Sequence, residues 1–453
     1  MASESQNADV LVVGAGIAGL TAAHHLREQG RDVVVLEADA VPGGRVRTEE
    51  WDGCHIELGG VYMAARYDEL MRLTAELGLE DELRDLPNAF RTAVRRDGDW
   101  SYADYAHTPN PFTRARDFAR FSAVSWRDRA SVAKLTGPMA RVAARRARFY
   151  DVASGARVDR AALQDVVAHD AARFYVSPLI EVFCGYRLEE IGLPMVVLAA
   201  DPPGKALTPR AGMGSIPAAL AARLDVRCGQ RVTRVETGDG GVSVAATGPD
   251  GAELEYRATG AVVATPADVT LDLWPGAPAA ARAFLASTEY SDGFVHFVRT
   301  REPFQKADPR GNDLYMEVIP PEPGRALHAV VFANFLAHDG GGLVALSASP
   351  DARARGDEEL AAALEAELVE LHPELSGAIT GRRPVRAERV VPRFPSGRAR
   401  ELAEFRSSLE PGPVQLAGDY LYGACMESAA QAGMDAAGRL PRGQSPAAAS
   451  PSR

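Results

Sequence analysis

Three hydrophobic stretches at the start of the chain follow the order strand, helix, strand. Residues 10–13 are four apolar residues in a row, and residues 17–29 repeat apolar side chains at helical spacing. A second apolar run at 32–36 is rich in valine, as in a parallel strand that is covered on both faces. The pattern predicts a β–α–β unit at the beginning of an α/β domain.

The middle of the chain changes to an alternation of apolar and polar residues. Residues 228–266 alternate over three runs separated by glycine-containing turns, which predicts an antiparallel meander that ends in a buried strand at 261–264. Residues 294–300 and 328–335 are further predicted strands, and 358–371 is a predicted acidic helix. These elements predict a mixed layer of strands and helices beside the first domain.

The segment 114–150 stands apart because it carries ten basic and two acidic side chains. Phe118, Phe121, Val124 and Trp126 lie among them at partly helical spacing. This pattern is typical of the solvated face of helices in a second domain. An alternative interpretation is a basic amphipathic surface for peripheral contact with anionic lipid, or for an anionic substrate.

The overall charge and the cysteines narrow the class of protein. The chain has 453 residues and a formal net charge of −11, which argues against binding to nucleic acid because contacts with phosphates need a basic surface. Its four cysteines lie far apart without a CxxC pair, so we predict no metal site. No stretch reaches the roughly 20 apolar residues of a membrane span, and we expect a protein of the reducing cytoplasm.

The turn between the first predicted strand and helix reads GAGIAG at residues 14–19. Gly14 permits a tight turn, Gly16 lets the backbone approach a pyrophosphate at the helix N-terminus, and Gly19 allows close packing of helix and strand. Glu37 ends the second strand, where a carboxylate accepts hydrogen bonds from an adenosine ribose and repels a 2′-phosphate. Strand, turn, helix and acid in this order predict a dinucleotide site rather than a chance glycine turn.

Two more glycine turns follow, PGGR at 42–45 and ELGG at 57–60. With them the chain resembles the flavin-containing amine oxidase superfamily, which includes monoamine oxidases, protoporphyrinogen oxidases and carotenoid desaturases. The resemblance implies that the dinucleotide is FAD, with the first turn beside its pyrophosphate and the second beside its isoalloxazine. The residues of these turns that it assigns to FAD are Gly44, Arg45, Gly59, Gly60 and Val61.

Two later segments extend the resemblance. Residues 211–216, AGMGSI, are similar to a glycine turn of the family, and residues 416–433, from LAGD to QAG, are similar to its C-terminal signature. The family's strand beside adenine corresponds to the one with Val232. Asp419 is implied to hold the ribityl chain or an amide near the phosphates, and the helix starting at Met426 to stabilise negative charge on the flavin pyrimidine. The residues added to the FAD set are Val232, Gly418, Asp419 and Met426.

The resemblance implies an α/β fold in which a discontinuous Rossmann-type FAD-binding domain receives an inserted mixed α+β substrate-binding domain. The segments with family motifs are assigned to the FAD domain and the intervening ones to the substrate domain. The expected ranges are 1–85, 205–265 and 390–440 for the FAD-binding domain, 86–204 and 266–389 for the substrate-binding domain, and 441–453 for a disordered tail.

The substrate domain departs from the family pattern. Val295 stands where the resemblance would place a lysine near flavin N5, and the adjacent His296 faces the other side of the strand unless the register shifts. Cys425 stands where a tyrosine of an aromatic cage is common, which leaves Phe394 as the aromatic candidate. Cys425 does not match the family's anchoring cysteine, so we expect non-covalent FAD. We also expect a substrate larger than a simple primary amine.

Three polar residues are catalytic candidates, each with a structural alternative. Glu57 lies beside the second flavin turn, where it either acts on a proton or braces the turn as a buried carboxylate. Tyr175 lies in an aromatic cluster that core packing also explains. His296 is either catalytic or a structural strand histidine. A functional member of this group would accept or orient a proton on the substrate nitrogen while a hydride leaves the carbon.

The chain has no second dinucleotide motif for NAD(P)H, so a small organic substrate supplies the electrons and oxygen or another acceptor removes them. The favoured function is FAD-dependent oxidation of a C–N bond in an amine, amino acid or amide-like metabolite to an imine, in bacterial secondary metabolism. One alternative is C–C desaturation of a polyene or porphyrinogen, which the basic segment 114–150 favours. Another is a non-catalytic FAD-binding partner protein. A homodimer is compatible with each of these functions.

Overall fold

The computed structural model describes residues 6–441 except for 87, 106–110, 146–147, 149, 200–204 and 239. Residues 442–453 of the predicted tail therefore lie outside the described residues, and 441 lies two residues after the end of the last helix. The strands, in chain order, are β1 (Gln6–Val13), β2 (Val33–Leu36), β3 (Thr48–Trp51), β4 (Cys54–Glu57), β5 (Met63–Ala64), β6 (Leu83–Asp85), β7 (Arg91–Arg96), β8 (Asp99–Asp104), β9 (Ala206–Pro209), β10 (Asp225–Arg227), β11 (Arg231–Gly238), β12 (Gly241–Thr247), β13 (Glu253–Val263), β14 (Gly293–Thr300), β15 (Met316–Val318), β16 (Leu327–Phe332), β17 (Gly342–Ala348), β18 (Ile379–Ala387) and β19 (Val414–Leu416).

Helices connect these strands and form most of the segment between β8 and β9. They are α1 (Ile17–Glu28), α2 (Asp68–Glu76), α3 (Pro111–Arg120), α4 (Trp126–Val132), α5 (Thr136–Ala143), α6 (Val152–Val158), α7 (Leu163–Val166), α8 (His169–Ala171), α9 (Pro178–Cys184), α10 (Leu193–Ala199), α11 (Ser215–Ala221), α12 (Ala267–Leu273), α13 (Ala279–Ala286), α14 (Asp357–Leu371), α15 (Arg398–Ser407) and α16 (Met426–Arg439). Helices α3, α4 and α5 confirm the helical character predicted for much of 114–150. None of the described helices is long and apolar enough to cross a membrane.

The first sheet contains the predicted β–α–β unit. Its order is β10-β2-β1-β13-β12-β11, and β19 also pairs with β13. Strands β10, β2, β1, β13 and β19 are parallel, whereas β11, β12 and β13 form the predicted antiparallel meander. Alternate residues of β1 pack on opposite faces: Val10 and Val12 contact the apolar side chains of α1 and α16, and Leu11 and Val13 belong to the core of the other face. The α/β prediction is confirmed.

The second sheet has the order β18-β14-β17-β16-β15-β7-β8, antiparallel except between β15 and β7. Helix α14 covers one face with Leu360, Leu364 and Leu368, and the hairpin of β3 and β4 covers the other face. The predicted strand at 294–300 and the predicted acidic helix are confirmed. The predicted strand at 328–335 is confirmed through Phe332 and wrong in its last three residues, because a 3-10 turn starts at Asn334. The Asn334 side chain donates to Phe304 O and accepts the Leu343 N–H.

Candidate flavin and substrate site

The glycine turn before helix α1 forms an open backbone cradle. Gly14 has a φ of 101° and donates its N–H to Leu36 O at 2.8 Å, which fixes the turn at the carboxyl ends of β1 and β2. A Cβ on Gly19 would clash with the Gly14 carbonyl oxygen, whereas a Cβ on Gly16 would have none of the described atoms within 4 Å. Gly19 therefore serves helix packing, and Gly16 leaves room for a ligand against the backbone.

Glu37 directly follows β2, and backbone amides hold its carboxylate beside this turn. Oε2 accepts the Ala15 N–H at 2.7 Å and Oε1 accepts the Asp39 N–H at 2.8 Å. Each carboxylate oxygen has a second lone pair with which to accept a hydroxyl. The ribose-binding role of Glu37 stays a prediction, and this placement is compatible with it.

The second predicted turn lies directly against the first. Gly43 forms a parallel bridge with Gly16 and donates its N–H to Ala15 O at 2.8 Å. Gly44 is exposed, has a φ of 56°, and a Cβ there would lie 3.3 Å from the Gly16 Cα. The two turns thus form one continuous backbone surface, on which Gly16 and Gly44 are neighbours.

Arg45 links this surface to the C-terminal signature. Its Nη1 and Nη2 donate to the two carboxylate oxygens of Asp419 at 2.8 and 2.9 Å, and Nη1 also donates to Val390 O at 3.1 Å. Burial opposes the charge of Arg45, but the Asp419 carboxylate outweighs it and raises the Arg45 pKa. Gly418 precedes the buried Asp419 and ends the loop after β19. This bidentate pair brings together segments that the sequence assigned to one site.

The third turn packs between Arg45 and helix α16. Gly60 donates its N–H to Arg45 O at 3.2 Å, and a Cβ on Gly59 would clash with the same oxygen. A Cβ on Gly60 would lie 2.5 Å from the Met426 Sδ, so a larger residue there would require the Met426 side chain to move. Val61 follows the turn and is half-buried.

The backbone groups at these turns fit a bound dinucleotide. Helix α1 has Gly16 as its N-cap, with no side-chain cap and no acidic residue in its first turn. The N–H groups at its N-terminus are therefore available to an anion such as a pyrophosphate. Val232, which the resemblance assigns to adenine, lies buried in β11, the outer strand of the meander. FAD bound at these turns supplies a hydride acceptor.

Glu427, whose role the sequence did not indicate, anchors the start of helix α16 to helix α2. Helix α16 begins at Met426, as predicted, and the Cys425 Sγ accepts the Ser428 N–H at 3.4 Å. The buried Glu427 carboxylate accepts the N–H groups of Glu69 and Leu70 at 2.8 and 2.9 Å, which caps helix α2. Burial raises the pKa of Glu427.

Glu57 makes the contacts of a bracing carboxylate. Oε1 accepts the Met213 N–H and Oε2 accepts the Thr48 hydroxyl, both at 2.8 Å. The Thr48 hydroxyl also accepts the Gly214 N–H at 2.9 Å, so the pair fixes the turn at 211–215 against β3. Burial raises the pKa of Glu57 to about 7. The structural alternative accounts for all of these bonds, and a catalytic role for Glu57 stays a prediction.

An aromatic cluster starts directly after the third turn. The Tyr62 ring lies 5.6 Å from the rings of Phe90 and Phe183 and 6.3 Å from that of Tyr315 (centroid distances), and Phe335 stacks on Tyr315 at 6.3 Å. The Tyr315 hydroxyl is buried and has no hydrogen-bond partner among the described residues. Its burial raises the pKa of Tyr315, so the hydroxyl is neutral and keeps its proton to donate. The position of Tyr62 after LGG was a readable signal, whereas nothing in the sequence indicated Tyr315.

Val295 and His296 lie on opposite faces of β14, as alternation requires. Val295 packs against the apolar cluster that includes Phe297 and Cys54, on the face covered by the β3–β4 hairpin. His296 is 2% exposed, has no hydrogen-bond partner among the described residues, and lies 4.0 Å from Glu365 of α14. Burial lowers the pKa of His296. The structure therefore does not bring His296 to the flavin turns, and its catalytic role receives no support from this placement.

Tyr175 lies in a second aromatic group among the helices. Its ring is 4.4 Å from that of Phe118 and 5.1 Å from that of Phe121, and its carbonyl oxygen accepts the Tyr105 hydroxyl at 2.8 Å. These contacts are those of core packing. A catalytic role for Tyr175 stays a prediction.

The three turns, the helix N-terminus and the Arg45–Asp419 pair together define an FAD-dependent oxidoreductase. The chain belongs to the flavin-containing amine oxidoreductase family, whose profile matches residues 17–441. This membership confirms the predictions of the family, of FAD and of an enzyme with a small-molecule substrate.

Curated relatives match over a short part of the chain. It is 50% identical over 72 residues to putrescine oxidase of Kocuria rosea, and 47% identical over 73 residues to amine oxidase [flavin-containing] B of Cavia porcellus. Each alignment covers 16% of this chain and 15% or 14% of the relative. The chain therefore spans less than a sixth of the length of these relatives.

Solved structures match over nearly the whole chain. Putrescine oxidase bound to putrescine has a TM-score of 0.68 at 18% identity, covering 96% of this chain and 99% of that one. Cyclohexylamine oxidase from Brevibacterium oxydans has a TM-score of 0.71 at 20% identity, covering 95% and 98%. A fatty acid isomerase from P. acnes has a TM-score of 0.67 at 16% identity, covering 96% and 99%. At these identities the likeness defines the fold.

Proposed function

We propose that the protein oxidises a C–N bond of an amine, amino acid or amide-like metabolite to an imine, with FAD as the hydride acceptor. The observation that carries the proposal is the aromatic cluster of Tyr62, Phe90, Phe183, Tyr315 and Phe335, which begins one residue after the third flavin turn. Amine substrates in the names of the related oxidases, putrescine and cyclohexylamine, support the same reaction class.

The cluster suits a neutral nitrogen compound with an apolar body. Aromatic faces contact alicyclic or aromatic carbon and attract partial positive charge on the carbon and nitrogen that are oxidised. In the proposal the Tyr315 hydroxyl hydrogen-bonds the substrate nitrogen, because it is a buried hydroxyl of this cluster with no hydrogen-bond partner among the described residues. It would orient the nitrogen lone pair while the hydride leaves the adjacent carbon.

The valine at position 295 supports a substrate other than a small primary amine. It replaces the lysine expected from the resemblance, and it packs against an apolar layer that includes Phe297. An apolar layer favours contact with hydrocarbon over a held water molecule. A larger specialised amine of bacterial secondary metabolism is therefore our proposed substrate.

The remaining assignments belong to the same proposal. Oxygen or another external acceptor would reoxidise the flavin in the cytoplasm, and the predicted segments would form the FAD-binding and substrate-binding domains.

We propose that FAD is held without a covalent bond, since the Cys425 Sγ caps helix α16 and lies 3.1 Å from the Ser428 hydroxyl. Trp126, 70% exposed on helix α4 next to the exposed Arg127, supports peripheral contact with anionic lipid. A homodimer stays part of the prediction.

The test is anaerobic bleaching of the yellow holoenzyme by a panel of compounds. Amines, amino acids and amides of increasing size are compared with polyenes and porphyrinogens at equal concentration. We expect bulky nitrogen compounds to bleach the flavin faster than small primary amines. Bleaching confined to the conjugated hydrocarbons or porphyrinogens would move the protein to C–C desaturation. A flavin that no compound reduces would favour the non-catalytic alternative.

A further inference from the structure

A cluster of two histidines and one glutamate lies on the surface of the β3–β4 hairpin. Its members are Glu50 on β3, His55 on β4 and His338 in the loop between β16 and β17. Their ligating atoms all lie within 4.8 Å of one another. We propose that these three side chains bind a divalent transition-metal ion of the Zn²⁺ class, independently of the flavin reaction.

The hairpin geometry places the first two ligands side by side. Residues 52 and 53 both have positive φ, 48° and 72°, which makes a tight two-residue turn. The register of the turn puts Glu50 directly opposite His55, and directly paired residues point to the same face of a sheet. The intervening Cys54 points into the core, so the ligand face is the solvent face.

The backbone also fixes the third ligand. Ala337 forms an antiparallel bridge with Cys54, and His338 donates its N–H to Gly53 O at 3.1 Å. The next residue, Asp339, accepts from the buried Arg299 at 2.7 and 2.8 Å, which anchors the loop. The imidazole rings of His338 and His55 consequently lie 5.0 Å apart.

The distances suit a small ion. The Glu50 carboxylate oxygens lie 3.0 Å from the His55 Nε2 and 2.8 Å from the His338 Nε2. Ligand atoms at about 2.0 to 2.1 Å from a tetrahedral Zn²⁺ are separated by about 3.3 Å, so each glutamate–histidine pair lies within about half an ångström of that spacing, and all three ligand atoms lie within 4.8 Å of one another. Two imidazoles select transition metals over Ca²⁺ and Mg²⁺, which prefer oxygen. Exposure of the cluster leaves the fourth position to water.

The cysteine spacing gave no hint of this site because its ligands come from distant parts of the chain. A bound ion would tie the hairpin to the loop before β17. The same hairpin continues from β4 into the third flavin turn at 57–60. The ion would therefore stabilise the folded protein without touching the flavin contacts.

The test is calorimetric titration of chelator-treated, dialysed holoenzyme with ZnCl₂. We expect one saturable site per chain and a rise in melting temperature with Zn²⁺. His338→Asn and Glu50→Gln should each weaken binding at least about tenfold, as loss of a metal-orienting group does. His169→Asn, which changes an exposed histidine on helix α8, should leave binding unchanged.

The same titration contains the results that would overturn the proposal. Absence of saturable binding, or binding that persists in both ligand variants, would refute it. His24, Glu28 and Glu76 form a second cluster with ligand geometry. Binding that His24→Asn removes and His338→Asn does not would assign the ion to that cluster. If each variant has the same flavin absorbance and the same melting temperature as the wild-type protein in chelator, the variants fold.

Discussion

The cofactor end and the substrate end of the molecule are built from different kinds of contact. At the cofactor end, backbone meets backbone: the turns of Gly16, Gly44 and Gly60 touch one another or their neighbours, and Arg45 and Asp419 join them. At the substrate end, aromatic side chains from distant segments meet, as Tyr62 meets Tyr315. Contacts between backbones restrict the residue type to glycine, whereas packing of aromatic rings leaves many residue types open.

Gly16→Ala should have the most selective effect at the cofactor end, because it separates ligand binding from folding. The φ of −75° at Gly16 suits alanine, and the added Cβ would contact none of the described atoms within 4 Å. The methyl group would instead occupy the path of the pyrophosphate. We expect at least about tenfold weaker FAD binding, or about 1.4 kcal/mol, measured by flavin retention on gel filtration. Gly137→Ala, at another uncrowded glycine, is the matched control, and equal flavin loss in both would contradict the account.

Asp419→Ala should destabilise both the fold and FAD binding. Removing one partner of a buried ion pair costs about 3–5 kcal/mol, and we expect the lower end because the Arg45 side chain is 37% exposed. The measurement is urea unfolding together with flavin content. Asp268→Ala breaks a comparable bidentate pair with Arg389 at the surface and should cost about 0–1 kcal/mol. A similarly small loss of stability for Asp419→Ala would show that the Arg45–Asp419 pair does not hold the site together.

Glu57→Gln should change the pH dependence of stability. Burial raises the Glu57 pKa from 4.5 to about 7, so the folded protein retains a proton that the unfolded chain releases. The stabilisation that this proton gives the folded protein is complete below the pKa of Glu57 in the unfolded chain. It is lost as the pH rises through the pKa in the folded protein, which lowers the free energy of unfolding by roughly 3 kcal/mol. The glutamine variant should gain this amount relative to wild type between about pH 5 and about pH 8 in urea unfolding.

The control for Glu57 is Glu358→Gln, which changes an exposed carboxylate at the start of α14. This variant should follow the wild-type pH profile. If Glu57→Gln also follows it, the buried carboxylate is not the group that titrates. Loss of flavin reduction at unchanged stability would instead support the catalytic interpretation of Glu57.

Tyr315→Phe should slow anaerobic flavin reduction by the best amine by about tenfold, equivalent to about 1.4 kcal/mol. The stability should not fall, because the hydroxyl has no hydrogen-bond partner among the described residues. Stopped-flow absorbance measures the rate. Tyr105→Phe, which removes a hydroxyl bonded to the Tyr175 carbonyl, should lower stability and leave flavin reduction unchanged. The reverse result would move the substrate site to the Tyr175 cluster.

His296→Asn should have the smallest effect on catalysis. The imidazole faces α14 rather than the flavin turns, so we expect flavin reduction within about twofold of wild type, or about 0.4 kcal/mol. The same stopped-flow assay measures it. A loss comparable with that of Tyr315→Phe would show that the face of β14 toward α14 takes part in catalysis.

The glycine turns and the β–α–β unit could be predicted because their constraints are local. A Cβ on Gly19 would clash with Gly14, five positions earlier, so the spacing of the two glycines in the motif reflects this close contact. The meander was predictable for the same reason, since turns separate strands that pair in sequence order. Asp419 was identified as a candidate FAD-binding residue from the C-terminal motif, although its ion pair with Arg45 was not predicted.

The substrate end could not be predicted because its contacts join remote segments. Strand β7 pairs with β15 across more than two hundred residues, and the residues before these strands, Phe90 and Tyr315, both contact the Tyr62 ring. Alternation did place His296 opposite Val295, but only the position of α14 shows which face carries the flavin turns. The polar candidates were identified by residue type and by position along the chain, and neither determines which pocket a side chain enters.

The central claim is that this chain removes a hydride from a carbon bonded to nitrogen. The most direct test is a single anaerobic turnover with the amine that bleaches the flavin fastest, followed by quenching and product analysis. We predict one carbonyl compound per reduced flavin, because an imine hydrolyses to a carbonyl and an amine in water. Flavin reduction that yields a new carbon–carbon double bond and no carbonyl product would contradict the claim.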